Sequence, residues 1–306
     1  MKTAKKYSGI VVPAVTPLTV DDKLDHAAVE RMFDNFRKHE VYPFILGTTG
    51  EASSLPFSLK KDFLQLAGKL KHGGDVLYAG ISSNVLAESI ALSKHAFDNG
   101  VDVVVATLPS YYALTEIAML KYFEQLAEAV NGPLMMYNIP ATTHMSIPLP
   151  VIDKLSHHHN FVGIKDSERN EDRLSESLQL WKDRNDFSYF LGWAAKSANA
   201  ILNGGDGLVP STANFHPGLY VELYKTAKGG NKGKALNLQS LSDALGNLYQ
   251  QGRTLGESLW ALKVVMKELD LCEPNVMPPL YPQSAEEEKK LITAFHKMIQ
   301  NEEINF

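Results

Sequence analysis

Cysteine is nearly absent. Cys272 stands alone among 306 residues, so no disulfide can form within the chain and a reducing compartment is expected. Long apolar runs are missing too: none approaches the roughly 18 residues that a membrane helix needs. The start Met1–Tyr7 is basic, but Pro13 and Pro17 interrupt the apolar stretch after it, which does not match a secretory signal. Neither sign of charge dominates. Lys+Arg number 30 against 35 Asp+Glu, a net −5 that argues against nucleic-acid binding through bulk electrostatics. Between Gly9 and Pro17 there is no G-x-G-x-x-G, the fingerprint that opens an open, doubly wound dinucleotide-binding sheet. These absences leave a cytoplasmic protein with no membrane or nucleic-acid partner. It is long enough to bury most of its apolar surface without a disulfide or metal staple.

What the sequence does carry is alternation. Short β-rich runs fall at Gly9–Thr16, Phe44–Thr48, Val76–Ile81, Val101–Thr107, Leu134–Asn138, Val162–Lys165, Ser188–Leu191 and Gly207–Val209. Several are continuously apolar, as in Val103-Val104-Val105-Ala106, which suits strands covered on both faces of a parallel sheet. Helical patterns lie between them, near His26–Glu40, Ser58–His72, Leu86–Asn99, Thr115–Asn131, Leu149–His157, Asp172–Arg184, Ala195–Asn203 and Pro217–Ala227. In Thr115–Asn131, Ile117, Leu120, Phe123, Leu126 and Val130 form one stripe, with Thr115 as N-cap and Gly132-Pro133 as the stop. Eight strand–helix units predict an α/β chain closed as a (β/α)8 TIM barrel over residues 1–230. From about Asn231 only helical signals remain, so residues 231–306 are read as a C-terminal helical extension packed on the barrel. Thr254-x-x-Glu257 and Ser284-x-x-Glu287 both read as capping boxes there.

In such a barrel, functional residues gather at the C-terminal ends of strands. Lys165 ends the apolar run Phe161–Ile164 and is expected to point into the barrel mouth. An amine in partly apolar surroundings loses the solvation that favours its charged form, and the neutral amine can attack a carbonyl to form a Schiff base. Taken alone, the same lysine could simply pair with Asp166 or Glu168. Tyr137, ending the neighbouring strand, could relay protons or be only a packed aromatic. Gly47-Thr48-Thr49-Gly50 offers hydroxyls and approachable N–H groups, a cradle for a carboxylate; alone it is a turn. The ordered set, rather than any member, points to chemistry. Glu51 reads either as a partner behind that site or as an acid suited to a helix start.

The combination Gly47-Thr48-Thr49-Gly50-Glu51, Tyr137-Asn138-x-Pro140 and Gly163-x-Lys165 resembles the dihydrodipicolinate synthase / N-acetylneuraminate lyase superfamily of class I aldolases. The resemblance spans essentially the whole chain. It implies a Schiff base between Lys165 and the keto carbon of pyruvate or a related 2-keto acid, with no cofactor and no metal. It further implies that Tyr137 relays protons and that Thr48 and Thr49 bind the keto-acid carboxylate, with Thr48 counted among the catalytic residues and Gly47 among those facing the substrate. Val209 matches a position whose carbonyl faces the keto acid, and Ser167 and Ser211 match hydroxyl positions of lyase-like members. Tyr112 matches a tyrosine that reaches the neighbouring subunit's site, which implies a homo-oligomer, a dimer of dimers.

Two departures bear on the substrate. Synthases of the family carry an arginine two residues past the motif's proline, for the second substrate's carboxylate; Thr142 stands there, and a bidentate guanidinium is lost. Sialic acid lyases hold sugar hydroxyls with acidic side chains after strand seven, but the stretch from Gly192 to Lys196 has none. Gly192 is nevertheless read as substrate-facing, and Trp193 and Lys196 are expected to give an apolar, basic rim. The expectation is therefore an aldolase or lyase that cleaves or forms a 2-keto acid, such as a 2-keto-3-deoxy sugar acid. Dihydrodipicolinate synthase, N-acetylneuraminate lyase and a non-catalytic keto-acid-binding relative are the alternatives. The intact Lys165, Tyr137 and Thr48 argue against the last.

Other signals carry less. His157-His158-His159 has no companion ligands at metal spacing and reads as a solvated helix end. Gly229–Lys234 lacks the Ser or Thr and the preceding strand of a phosphate loop, so it reads as a turn. Glu286 to Lys289 and Glu287 to Lys290 are expected to pair along a solvated first turn.

Overall fold

The structure, a computed structural model, describes residues 5–302 and 304. Eight parallel strands close into one barrel, each hydrogen-bonded to its sequence neighbours and the last to the first. They are β1 Gly9–Pro13, β2 Tyr42–Ile45, β3 Tyr78–Gly80, β4 Val103–Thr107, β5 Leu134–Asn138, β6 Phe161–Asp166, β7 Ser188–Leu191 and β8 Gly207–Leu208. Several end sooner than the apolar runs suggest. After β1 the Val15 N–H donates to the Asn214 side chain rather than to a strand. Leu46 takes a positive φ of 56° just after β2 and turns the chain into a loop.

Strand periodicity explains the layering. In β4, Val103 and Val105 point into the barrel with Val11, Phe44, Tyr78, Met135 and Phe190, while Val104 and Ala106 face the surrounding helices. Both faces of β4 are buried from Val103 to Ala106, so that run is apolar without a break. The inward set forms a packed floor, and Lys165 stands over it in register with Tyr137 on one side and with Phe190 of the floor on the other.

Helices follow the strands around the outside, from His26–Lys38 after β1 to Pro217–Lys228 after β8. The helix Glu116–Ala129 starts at Thr115, whose side chain accepts from Ala118 N–H, as its sequence predicts. Three further helices, Lys232–Gln250, Leu255–Lys267 and Ala285–Glu302, complete the described chain. Both halves of the capping box form at Thr254 and Glu257. At Ser284 only the hydroxyl half is present, accepting from Glu287 N–H, because the Glu287 carboxylate turns to Lys290. Glu286 also pairs with Lys290, not with Lys289 as expected.

Residues Ser258 to Met266 of the helix Leu255–Lys267 are all buried. A helix apolar on every side belongs inside a protein, so the C-terminal segment contributes core and does more than cover the barrel. No helix among the described residues is long and apolar enough to cross a membrane. Only residues 229–231 form the turn between two helices; Lys232–Lys234, read as part of that turn, open the second helix, which Asn231 caps. The three histidines follow the helix Leu149–Leu155, and the rings of His158 and His159 stack at 4.5 Å. Met1 to Ala4 lie outside the described residues.

Candidate active site

Lys165 lies on the inward face of β6 and is only 4% exposed. Its Nζ sits 3.9 Å from the centre of the Tyr137 ring and 4.9 Å from that of Phe44. The alternative pairing of this lysine with Asp166 or Glu168 does not occur. Asp166 binds the Arg173 Nε at 2.7 Å and accepts from the Asn138 amide at 2.9 Å. Glu168 accepts from the Ser146 hydroxyl at 2.6 Å and from Asn138 at 3.0 Å. That network uses both carboxylates, and among the described residues no ion pair reaches Lys165. An amine so placed, without a carboxylate partner among the described residues, can serve as a nucleophile toward a carbonyl.

Tyr137 is the neighbour of that amine on β5. Its hydroxyl lies 3.3 Å from the Thr48 Oγ1. Burial opposes ionisation of the phenol, but the Lys165 ammonium and hydrogen bonding with Thr48, Lys165 and Ser167 outweigh it, leaving the phenol more acidic than ordinary tyrosine. A tyrosine so placed can both give and take a proton at Lys165.

These groups open onto a cavity of about 830 Å³. Thr48, Thr49, Ser167, Gly192, Val209 and Ser211 line it with Lys165 and Tyr137, so most of the sequence-named set converges. Gly192 lies close against the loop after β6: a Cβ there would displace the Ser167 hydroxyl, 2.0 Å away, and come within 3.3 Å of the Asp166 carbonyl.

Three sequence-named residues do not line the cavity. The short helix Pro140–Thr143 turns Thr142 away, and its hydroxyl donates to the Ile139 carbonyl at 3.4 Å. Gly47 sits behind the loop, where a Cβ would press on the Phe44 ring at 3.0 Å. Tyr112 is 74% exposed and packs edge-on against Tyr111. The basic rim expected from Lys196 is also displaced, because Glu171 pairs with that lysine at 2.6 Å. Arg169 and Arg253 line the cavity instead.

Sequence reading missed the contribution of the C-terminal helices. Asn247, Tyr249, Gln250 and Gln251 enter the cavity wall. The Tyr249 hydroxyl joins Ser211 at 2.7 Å, Thr212 at 3.0 Å and the Gln250 amide at 2.8 Å. Tyr249 follows ordinary helical spacing, so nothing local distinguishes it. Lys263 did leave a signal: a single lysine within the otherwise apolar run Leu259–Met266. Lysine is almost never fully buried without a partner.

The profile of the dihydrodipicolinate synthetase family matches residues 6–298. The chain belongs to that family. It is a lyase of the aldolase type. An uncharacterized DapA-like lyase of Thermococcus kodakarensis is 30% identical over 289 residues, which cover 94% of this chain and 97% of that protein. Dihydrodipicolinate synthase from Bacteroides thetaiotaomicron superposes with a TM-score of 0.91 at 30% identity, covering 96% of this chain and all of that one. YagE of Escherichia coli is provisionally named a 2-dehydro-3-deoxy-D-gluconate aldolase and is 27% identical over 305 residues, 97% of this chain and 99% of its own. Its structure in complex with pyruvate superposes with a TM-score of 0.88 at 26% identity, covering 96% of this chain and 99% of that one.

Among the described residues no cluster of His, Cys, Asp or Glu side chains could hold a metal ion. Cys272 is buried, and burial pushes its thiol up to about 12, which removes it as a nucleophile.

Proposed function

We propose that this protein is a pyruvate-dependent class I aldolase that works through Lys165 and needs no metal or organic cofactor. The observation that carries the reading is a buried lysine with no carboxylate partner among the described residues, stacked on a tyrosine of raised acidity at the mouth of the barrel. The neutral Lys165 amine adds to the keto carbon of the substrate, and Tyr137 protonates the departing hydroxyl as water leaves. The protonated imine then withdraws electrons from the adjacent carbon. The next carbon–carbon bond breaks, its hydroxyl proton passes to Tyr137, and the aldehyde departs. The remaining enamine takes up a proton, and water hydrolyses the imine to release pyruvate and restore the amine. Thr48 and Thr49 hold the carboxylate that keeps the keto carbon against Lys165.

For the substrate we favour a 2-keto-3-deoxy sugar acid. Ser167, Ser211, Asn247, Gln250 and Gln251 give the cavity hydroxyl and amide groups suited to a polyhydroxylated chain. Position 142 supplies no guanidinium, and its hydroxyl is turned back onto the chain. One observation favours the runner-up, condensation of pyruvate with aspartate semialdehyde: Arg169 and Arg253 in the cavity wall could receive a second carboxylate. Pyruvate release from 2-keto-3-deoxy sugar acids, measured beside condensation with aspartate semialdehyde, separates the two. Faster turnover of the semialdehyde would overturn the sugar-acid reading.

The protein is further proposed to act in the cytoplasm as a homo-oligomer, a dimer of dimers. The exposed Tyr111–Tyr112 pair supports this, since large aromatics left in water suit a subunit contact. Sedimentation of the parent and of Tyr112→Ala tests it; a monomeric parent would contradict it.

A further inference from the structure

The loop that carries Thr48 and Thr49 is held in an unfavourable backbone shape. Leu46 and Glu51, at its two ends, both have φ of 56°, a region side chains other than glycine rarely adopt. Such conformations persist only where their surroundings over-determine them. Gly50 is pinned within the loop, its carbonyl accepting from the Thr16 hydroxyl at 2.6 Å.

What holds the Glu51 end comes from the far end of the chain. The Glu51 carboxylate meets the Lys263 Nζ at 2.5 Å, and both side chains are 0% exposed. Its other oxygen accepts from the Met277 N–H at 2.7 Å. Lys263 spends its remaining donors on the Thr16 and Asn275 carbonyls. Four separate segments therefore meet at one charge pair: the loop after β1 at Thr16, the Thr48 loop, the helix Leu255–Lys267 and residues 275–277. A pair this deep is a weak device for stability, because packed apolar side chains of the same volume serve as well or better. What it does is fix where the segments sit.

We infer that Lys263 and Glu51 are positioning residues for the carboxylate cradle: the pair sets the Thr48–Thr49 hydroxyls against the keto acid and acts on its binding, not on carbon–carbon bond chemistry. This rests on the reading of Thr48 and Thr49 as the carboxylate site. It also makes the C-terminal helix a component of the active site that touches no substrate through this lysine.

The test uses Lys263→Met, Glu51→Gln and the double variant, each shown to be folded by circular dichroism. Borohydride trapping at Lys165 is followed against concentration for pyruvate and for methyl pyruvate, the neutral ester with the same keto carbon. Expected is a rise of tenfold or more in half-saturation for pyruvate, with limiting rate within threefold and methyl pyruvate unaffected. A folded variant with unchanged pyruvate half-saturation overturns the inference, as does an equal loss toward both compounds. The double variant leaves no unpaired buried charge, so it is read by the same criterion if Lys263→Met fails to fold. Failure of the parent itself to trap pyruvate, or to prefer it over the ester, would instead count against the carboxylate-site reading.

Discussion

Replacing Tyr137 by Phe separates chemistry from packing with the loss of one oxygen. The ring stays, so its edge-on contact with Phe44 at 6.4 Å between centroids is kept. The lost hydroxyl bonds with Thr48 at 3.3 Å and also with Lys165 and Ser167, all of which line the open cavity. Thr48 is only half-buried and can turn to water, so the stability change is expected to be about 1 kcal/mol or less. A positioned acid–base group contributes roughly 10²–10⁴-fold, which is about 2.7 to 5.4 kcal/mol of barrier at 1.36 kcal/mol per decade. The barrier should therefore rise well beyond the stability loss. The assay is kcat for pyruvate release, with Tm measured on the same preparation. A pH arm sharpens it. Because the Tyr137 pKa is lowered, imine formation should decline, as pH rises and the phenol loses its proton, at lower pH than an ordinary tyrosine would cause. That limb should vanish in Tyr137→Phe. A kcat within threefold of the parent, with the limb intact, would refute the proton-relay role and leave Tyr137 as packing.

Three other expectations follow from the geometry. Lys263→Met strands the buried Glu51 carboxylate and should cost about 3–5 kcal/mol in denaturant unfolding, most of it regained in the Glu51→Gln/Lys263→Met double variant; equal stability of single and double variants would contradict this. Gly80→Ala puts a Cβ 1.9 Å from the Leu46 carbonyl, so β3 and the loop start must part. A loss of about 1–3 kcal/mol is expected in thermal melts, and an unchanged Tm would show that the backbone yields freely. Burial, helped by nearby His39, lowers the His216 pKa from 6.5 to about 4. The unfolded chain then takes up a proton that the folded one refuses, so this contribution is lost as pH falls from 6.5 to 4. Unfolding free energy should drop by at most about 3 kcal/mol more in the parent than in His216→Gln across that window, and parallel curves would count against it.

The barrel was legible because its strands are covered on both faces: Val103–Ala106 can be apolar throughout only if inward and outward positions are equally dry. Lys165 was legible for the same reason, as a charge closing an apolar strand. Strand ends were less so. Leu46 leaves the sheet through a positive φ and Val15 by donating its N–H to the Asn214 side chain, neither of which alters local hydrophobicity. Thr142 was misplaced because Pro140 opens a single helical turn, its φ already suited to the first helical position, and that turn rotates the threonine off the cavity. The C-terminal share of the site was the least accessible. Periodicity fixes which face of a helix is apolar but not which distant loop that face meets, so Glu51 could be read two ways until Lys263 was found beside it.

The central claim is that Lys165 forms an imine with a keto acid. Incubation of the parent protein with pyruvate and borohydride, followed by peptide mapping, tests it most directly. One Nε-(1-carboxyethyl)lysine is expected, on the peptide containing Lys165, with activity lost in proportion to its formation. An unmodified Lys165 peptide, or the adduct on another lysine with Lys165 untouched, would contradict it.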